Sequence, residues 1–190
     1  MRLYHGSKDI IKNPQYAFGK PYNDYGQGFY CTEDIDLARE WSVDLNKDGF
    51  VNIYDFNETG LNIIDLTSKE FCVLHWITIL LQNRRFALET PLAREAYSYL
   101  TKNFSINLEN ADAILGYRAD DSYFSYAQDF VNGEISVSKL AEAMHLGDLG
   151  CQLMIKSETA FDRLTYVGCE GVSVSEWYSK KMTRDRLARR

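Results

Sequence analysis

The chain has 190 residues and a mass of 21.9 kDa, a length that suits one domain with a substantial hydrophobic core. Hydrophobic residues make up 45% and charged residues 25%, with three prolines and no low-complexity run, which argues against a disordered protein. No run of about 18 apolar residues is present to cross a membrane, and the first residues lack the apolar core of a signal peptide. The four cysteines lack C-x-x-C spacing, so we expect free thiols in a reducing cytoplasm.

The net charge of −6 is distributed unevenly. Residues 180–190 contain six basic residues and one acidic residue, a local charge of +5 that leaves −11 for the rest of the chain. The acidic body argues against non-specific nucleic-acid binding, because contacts with phosphates supply most of that affinity. We interpret the basic end as a solvated helix end, with contact to an acidic partner or RNA as the alternative.

Strand and helix patterns alternate irregularly along the chain. Near the N-terminus, residues 1–5 and 29–32 have strand patterns, and residues 34–45 have helical spacing of apolar residues after an acidic start. Further strand patterns lie at 49–56, 60–66, 111–121, 151–157 and 164–171, and helical patterns at 71–81, 91–100, 122–130, 136–147 and 157–164. Because no regular βαβ repeat is present, the sequence predicts a mixed α+β fold.

Residues 44–55, DLNKDGFVNIYD, match the spacing of a calcium-binding loop and resemble the loop of dockerin modules. The matching positions are Asp44, Asn46, Asp48, Gly49, Asn52 and Asp55. A calcium loop of this kind leads into a helix, whereas the residues after Gly49 favour a strand, and the sequence has no second copy of the loop. We therefore interpret the stretch as a turn in which Gly49 takes a left-handed backbone angle, and keep a calcium-binding interaction domain as an alternative.

A second glycine-containing stretch, NDYGQGFYCTEDIDLAREWS at 23–42, places Gly26 and Gly28 just before Tyr30. Turn formation explains both glycines, since glycine adopts backbone angles that other residues avoid. The alternative is that a ligand lies against the glycine backbone and stacks on the Tyr30 ring. The third glycine of a dinucleotide-binding loop is missing and no βαβ unit follows, so the pattern argues against a Rossmann domain.

Two motifs together resemble those of poly-ADP-ribose-polymerase-like and diphtheria-toxin-like ADP-ribosyltransferases. LYHGS at 3–7 resembles their His-Gly-Ser segment, and YGQGFYCTEDIDLAREWS at 25–42 resembles their Gly-x-Gly-x-Tyr segment with its following helix. The third expected element is a late strand that carries glutamate. DLGCQLMIKSETAFDRLTYV at 148–167 has that outline, with Gln152 in the place of the glutamate. The resemblance covers most of residues 2–167, with roughly 60–140 as an insertion.

The resemblance implies a fold of two split antiparallel sheets around an NAD cleft, with a helical insertion, at residues 1–170, followed by a basic helical tail at 171–190. It implies that His5 bonds a ribose hydroxyl of NAD and that Tyr30 stacks on the nicotinamide. Gly6 would let backbone groups bond the carboxamide. The residues that it assigns to NAD binding are Tyr4, His5, Gly6, Ser7, Gly28 and Tyr30.

Gln152 departs from the family pattern, in which a glutamate stabilises the positive charge that develops on the ribose. An amide can bond a ribose hydroxyl but carries no charge. Either another acid substitutes, with Asp120, Asp121 and Glu158 as candidates, or the protein binds NAD with little turnover. For Asp120 and Asp121 the alternative is capping of the helix that follows.

The resemblance implies an enzyme that cleaves NAD and transfers ADP-ribose to a cellular macromolecule. A weaker likeness to a bacterial family of unknown function implies the context of a cytoplasmic toxin paired with a small antitoxin protein. A catalytically lapsed module that binds NAD or ADP-ribose is the alternative. The three histidines are scattered without metal-ligand spacing, so we expect no metal centre.

Overall fold

The computed structural model describes the backbone of residues 1–119, 121–146 and 150–188, and the side chains of all of these except 121–123, 144–146, 185, 187 and 188. Within these residues the chain forms seven strands and seven helices. The strands are β1 (Arg2–Ser7), β2 (Phe29–Cys31), β3 (Gly49–Phe56), β4 (Ile63–Asp65), β5 (Ala113–Tyr117), β6 (Cys151–Ile155) and β7 (Leu164–Val172). The helices are α1 (Ile35–Ser42), α2 (Val73–Asn83), α3 (Pro91–Asn103), α4 (Asp121–Val131), α5 (Val137–Leu146), α6 (Glu158–Phe161) and α7 (Val174–Ala188).

The described strands form two open sheets, which confirms the mixed α+β prediction. The first sheet has the order β1-β3-β7 and is antiparallel throughout. The second has the order β2-β6-β5-β4, and its β4–β5 pair is parallel, so this sheet is mixed rather than wholly antiparallel. Backbone hydrogen bonds between Tyr4 and Thr32, with N···O distances of 2.8 and 2.9 Å, join β1 to the end of β2. This junction brings the first two sequence motifs together.

The buried side chains of the described residues form three apolar clusters. One lies between the two sheets and includes Leu3, Cys31 and Leu153. A larger one packs helices α2–α5 against the second sheet, with Ile114 and Met154 on the strand side. The third packs helices α1 and α7 against the first sheet. The helices of roughly 60–140 therefore cover the second sheet, to which this segment also adds β4 and β5.

The calcium-like loop is a turn that leads into a strand, as its sequence favours. The left-handed residue is Asn46, with φ of 59°, so the prediction of a left-handed Gly49 was wrong. Gly49 is instead required by packing, because a Cβ there would lie 2.0 Å from the carbonyl oxygen of Ser42. Asp48 accepts a hydrogen bond from Val174 N, and Asp55 pairs with Arg2, so these carboxylates have separate partners.

The C-terminal segment packs against the body of the protein. β7 continues to Val172, and α7 follows with Trp177 in the third apolar cluster. Lys181 Nζ donates to the carbonyl of Val43 at 3.1 Å, and Arg184 pairs with the buried carboxylate of Glu40 at 3.1 Å. The segment is helical as expected, but one face is packed rather than solvated. In the described part of the chain, no helix has the length and apolar character needed to cross a membrane.

Candidate functional site

His5, Tyr30 and Gln152 all line one cavity of about 900 Å³. His5 comes from β1, Tyr30 from β2 and Gln152 from β6. The register explains their convergence, because Tyr30 pairs with Met154 on β6, and the Tyr4–Thr32 bridge ties β1 to β2. The volume is in the range of sites that enclose a small molecule or a cofactor.

His5 is a neutral hydrogen-bonding group in this cavity. Its Nδ1 lies 2.6 Å from the carbonyl oxygen of Tyr30, and a carbonyl only accepts, so Nδ1 carries the proton. Burial lowers the pKa of His5 below its usual 6.5, and the Tyr30 carbonyl partly opposes this shift. The imidazole ring packs on Phe29 with centroids 4.3 Å apart. His5 Nε2 is therefore left as a hydrogen-bond acceptor.

Tyr30 is held rigidly by its hydroxyl group. The hydroxyl donates to the carbonyl of Gly26 at 2.7 Å and accepts from the backbone N–H of Tyr25 at 3.0 Å. Gly26 has φ of +88°, so glycine is required for the turn that makes these contacts. Burial raises the pKa of Tyr30, which excludes the hydroxyl as an acid or base near neutral pH. The contribution of Tyr30 to the cavity is its aromatic ring.

Gln152 is buried and bound to an acid that the sequence did not single out. Its Nε2 donates to Oδ2 of Asp24 at 2.8 Å. No hydrogen bond reaches Gln152 Oε1 from any described residue, so this oxygen is the free acceptor of the side chain on the cavity wall. Gln152 thus offers an acceptor where the resemblance expects a carboxylate.

Asp24 is the centre of a buried polar network. Its Oδ1 accepts from Arg84 at 2.8 Å, and its Oδ2 accepts from the backbone N–H of Ala119 at 2.9 Å as well as from Gln152. Arg84 also donates to the carbonyl of Ala119 at 2.8 Å. In sequence Asp24 belongs to an Asn-Asp-Tyr-Gly turn, where an aspartate is ordinary, so no local pattern marked it.

Three of the predicted NAD-binding residues are not among those that line the cavity, and Gly28 is. The Tyr4 side chain packs in the third apolar cluster. At Gly6 a Cβ would lie 2.0 Å from the carbonyl oxygen of Ala38, so packing of α1 on β1 accounts for this glycine. Ser7 Oγ accepts from Asn52 Nδ2 at 3.1 Å. At Gly28 a Cβ would meet Met154 Sδ at 2.2 Å, so this glycine also serves strand packing.

Of the three alternative acids, Glu158 alone has a described side chain. Asp120 lies outside the described residues. Asp121 begins helix α4, and its side chain lies outside them as well. Glu158 is exposed in the first turn of α6, and it is not among the residues that line the cavity.

Among the described residues that line the cavity, positive side chains outnumber negative ones. Its basic residues are Lys20, Arg84, Arg118 and Lys181, whereas its acidic residues are Asp9 and Asp24. The Arg118 guanidinium lies over the Trp41 ring at 5.3 Å, and the buried Trp41 Nε1 donates to no described residue. An excess of positive charge in a protein of net charge −6 favours an anionic ligand. Among the described residues, no group of three or more His, Cys, Asp or Glu side chains is arranged to hold a metal ion.

Comparison with known proteins gives a family for this chain without a function. Neither a search of curated proteins nor a search of solved structures found a match. A family model matches residues 1–166, which include His5, Tyr30, Gln152 and Asp24 but end before helix α7 and Lys181. The chain therefore belongs to the family described as Protein of unknown function (DUF3990).

Proposed function

We propose that the protein is an ADP-ribosyltransferase that cleaves NAD at this cavity and transfers ADP-ribose to a cellular macromolecule. The observation that carries the proposal is the meeting of His5, Tyr30 and Gln152 on one cavity, from three separate stretches of sequence. These are the positions at which the resemblance to ADP-ribosyltransferases assigns the reacting end of NAD. The two open sheets support the split-sheet fold of that superfamily.

The chemistry of each side chain suits one part of NAD. The Tyr30 ring offers a rigid face for the flat nicotinamide. His5 Nε2 and Gln152 Oε1 are acceptors for hydroxyls of the nicotinamide ribose. The basic side chains of the wall, with Lys181 from α7, suit the diphosphate. The site thus provides aromatic, acceptor and cationic groups in the kinds that a dinucleotide requires.

Cleavage of NAD breaks the bond between C1′ of the ribose and the nicotinamide nitrogen. The bonding electron pair leaves with the nitrogen, so nicotinamide departs neutral and positive charge develops on the ribose. A nucleophile of the acceptor then bonds C1′ and releases its proton to water. Hydrogen bonds from the ribose hydroxyls to His5 and Gln152 hold the sugar and place electron-rich atoms beside the developing charge.

Gln152 also supports a second candidate, a module that binds NAD or ADP-ribose without turnover. Loss of one preorganised electrostatic contact costs roughly 10²–10³ in rate, so an amide in place of the glutamate favours slow or lapsed catalysis. Binding is common to both candidates, and turnover separates them.

The test incubates the purified protein with labelled NAD and a cell lysate, after calorimetry has measured NAD binding. His5→Ala is the test variant and His75→Ala is its control, since His75 is a partly buried imidazole on α2 that does not line the cavity. We expect label on a macromolecule with the wild type and His75→Ala but not with His5→Ala. Binding without label transfer or nicotinamide release would establish the non-catalytic module. Absence of NAD binding by the wild type would overturn both candidates.

We further propose that the protein acts as an intracellular toxin that a small antitoxin protein restrains, which the weaker family likeness supports. Phe18, which lines the cavity and is 81% exposed, provides an apolar contact for an acceptor or an antitoxin beside the cavity. Induced expression of the wild type should arrest bacterial growth, and His5→Ala should not. Equal growth of the two cultures would contradict the toxin proposal and leave NAD binding to be judged by calorimetry.

A further inference from the structure

We propose that Asp24 is a positioning residue that turns Gln152 into a dedicated acceptor for a ribose hydroxyl of NAD. The inference rests on the proposed function, because it concerns the same cavity. It adds that the site does contain an acid: the Asp24 carboxylate, which lies next to the Gln152 side chain rather than at position 152 itself. Asp24 holds Gln152 Nε2 at 2.8 Å and is itself held by Arg84 at 2.8 Å.

The orientation of the Gln152 amide follows from the chemistry of its partner. An ionised carboxylate only accepts hydrogen bonds, so the side chain must present its NH₂ group to Asp24. The carbonyl oxygen Oε1 then points away from Asp24, and no described residue bonds it. Without Asp24 the amide could rotate and present a donor to the cavity instead. A charge-assisted bond to Nε2 also polarises the amide and increases the electron density on Oε1.

Asp24 is anchored well enough to perform this role. Its side chain is 9% exposed, and it receives hydrogen bonds from Arg84, Ala119 and Gln152. Its negative charge also reaches the Tyr30 hydroxyl, where it contributes to the raised pKa after the larger effect of burial. The carboxylate is therefore anchored beside Gln152, and its charge also acts on Tyr30, a second of the three residues assigned to the reacting end of NAD.

This arrangement makes a counter-intuitive prediction for Gln152→Glu, which restores the glutamate of the related enzymes. In this protein the new carboxylate faces Asp24 at hydrogen-bond distance, and two carboxylates so close cannot both ionise without a large cost. The variant should bind NAD about tenfold or more weakly at pH 8, and recover as the pH falls toward 5 and the pair shares a proton. Among the described residues, the other ionisable groups that interact with Asp24 are the Arg84 guanidinium and the hydroxyls of Tyr25 and Tyr30, and burial raises the pKa of both hydroxyls.

The experiment measures NAD affinity by calorimetry and unfolding by urea, each from pH 5 to pH 8. The proteins are the wild type, Gln152→Glu, Asp24→Asn and the double variant. Glu158→Gln is the control, because it replaces an exposed acid away from the cavity by an amide. We expect the NAD affinity and the unfolding free energy of Gln152→Glu, each taken relative to wild type, to fall as the pH rises from 5 to 8. This pH dependence should disappear in the double variant, where only one carboxyl remains and the amide introduced at position 24 can donate a hydrogen bond to it.

The outcomes separate this inference from the proposed function. Wild-type NAD binding together with undiminished binding by Gln152→Glu at pH 8 would overturn the role of Asp24 and leave the proposed function standing. A pH dependence that persists in the double variant would overturn it too. If the wild type binds no NAD, both the proposed function and this inference fail. The unfolding data need no ligand, so they report on the Asp24–Gln152 contact directly.

Discussion

Two regions of the molecule have sequences that resemble ligand-binding motifs, and the fold brings the side chains together in one region but not in the other. His5, Tyr30 and Gln152 are distant in sequence, yet all three line the same cavity. The residues of the calcium-like loop at 44–55 are neighbours in sequence, yet their side chains have separate partners. Asp48 binds the first residue of α7, whereas Asp55 pairs with Arg2 on β1.

Spacing within a loop is weak evidence for a binding site unless the loop also has the backbone conformation that the site requires. A calcium loop needs successive side chains to point at one centre. From Gly49 onward the loop is strand β3, and successive side chains of a strand point to opposite faces. Asn52 faces inward and anchors residues 5–11, while Asp55 is exposed. Because the residues form a strand, their side chains point to different faces and do not converge on one ion site.

The largest expected effect is a difference in stability between variants that each remove one acid, Asp24 from the cavity and Asp55 from the calcium-like loop. Asp24→Ala should lower the free energy of unfolding by about 3–5 kcal/mol, because it removes the buried carboxylate that accepts hydrogen bonds from Arg84, Ala119 and Gln152. Asp55→Ala removes an exposed ion pair with Arg2 and should cost about 0.5 kcal/mol. Urea unfolding of both variants measures the contrast.

Equal losses of unfolding free energy in Asp24→Ala and Asp55→Ala would contradict this contrast between the two regions. The contrast would also be contradicted if calcium raised the melting temperature of the wild type but not that of Asp55→Ala, since this would mean that the loop residues converge on an ion after all.

The next effect concerns the Tyr30 ring. Tyr30→Ala should weaken NAD binding about tenfold or more, since stacking on an aromatic face contributes about 1–3 kcal/mol per base. Tyr30→Phe keeps the ring and should bind NAD within about threefold of wild type. It should nevertheless be less stable by about 1–3 kcal/mol, because the buried Tyr25 N–H loses its acceptor. Calorimetry and urea unfolding check the two parts, and full affinity in Tyr30→Ala would contradict stacking.

A smaller effect tests whether helix α7 belongs to the cavity. Lys181→Ala should weaken NAD binding about threefold to tenfold, and the loss should shrink at high salt because it is electrostatic. Lys180→Ala is the matched control: its ammonium lies over the Trp177 ring and beside Glu176, and it is not among the residues that line the cavity. Equal behaviour of the two variants would place the ligand away from α7.

The smallest effect is the pH dependence from His5. The folded pKa of His5 lies below its unfolded value of about 6.5, so the unfolded chain binds the proton first as the pH falls. The stability due to neutral His5 is therefore fully present above pH 6.5 and is lost progressively below it. The difference in unfolding free energy between wild type and His5→Gln should favour wild type more at pH 8 than at pH 5. The opposite slope would mean that His5 is charged in the cavity.

Much of the secondary structure could be predicted from the sequence, because each element repeats its apolar residues with its own period. The strand pattern at 49–56 corresponds to β3 as observed, and the acidic start before α1 is a true cap, with Asp34 accepting from two backbone N–H groups. The parallel pairing of β4 with β5 could not be predicted, since pairing direction depends on how the intervening helices return the chain.

Some residues of the cavity could likewise be predicted from the sequence, and others could not. Candidates such as His5 and Tyr30 could be named because they lie within motifs whose members are close in sequence. Asp24 could not, because its partners Arg84, Ala119 and Gln152 are 60, 95 and 128 residues away. In sequence Lys181 belongs to a basic stretch at the C-terminal end, and only the packing of α7 on α1 brings it to the cavity.

Local patterns along the chain were thus enough to identify most helices and strands, the candidate residues proposed for NAD and the neutral amide at position 152. Only the folded chain shows that Asp24 bonds this amide, which glycines are required by packing and which charged side chains line the cavity. The physical reason is that periodicity and turn chemistry act between neighbours along the chain. Hydrogen bonds, ion pairs and close backbone approaches form between segments that only the folded sheets and helices bring together.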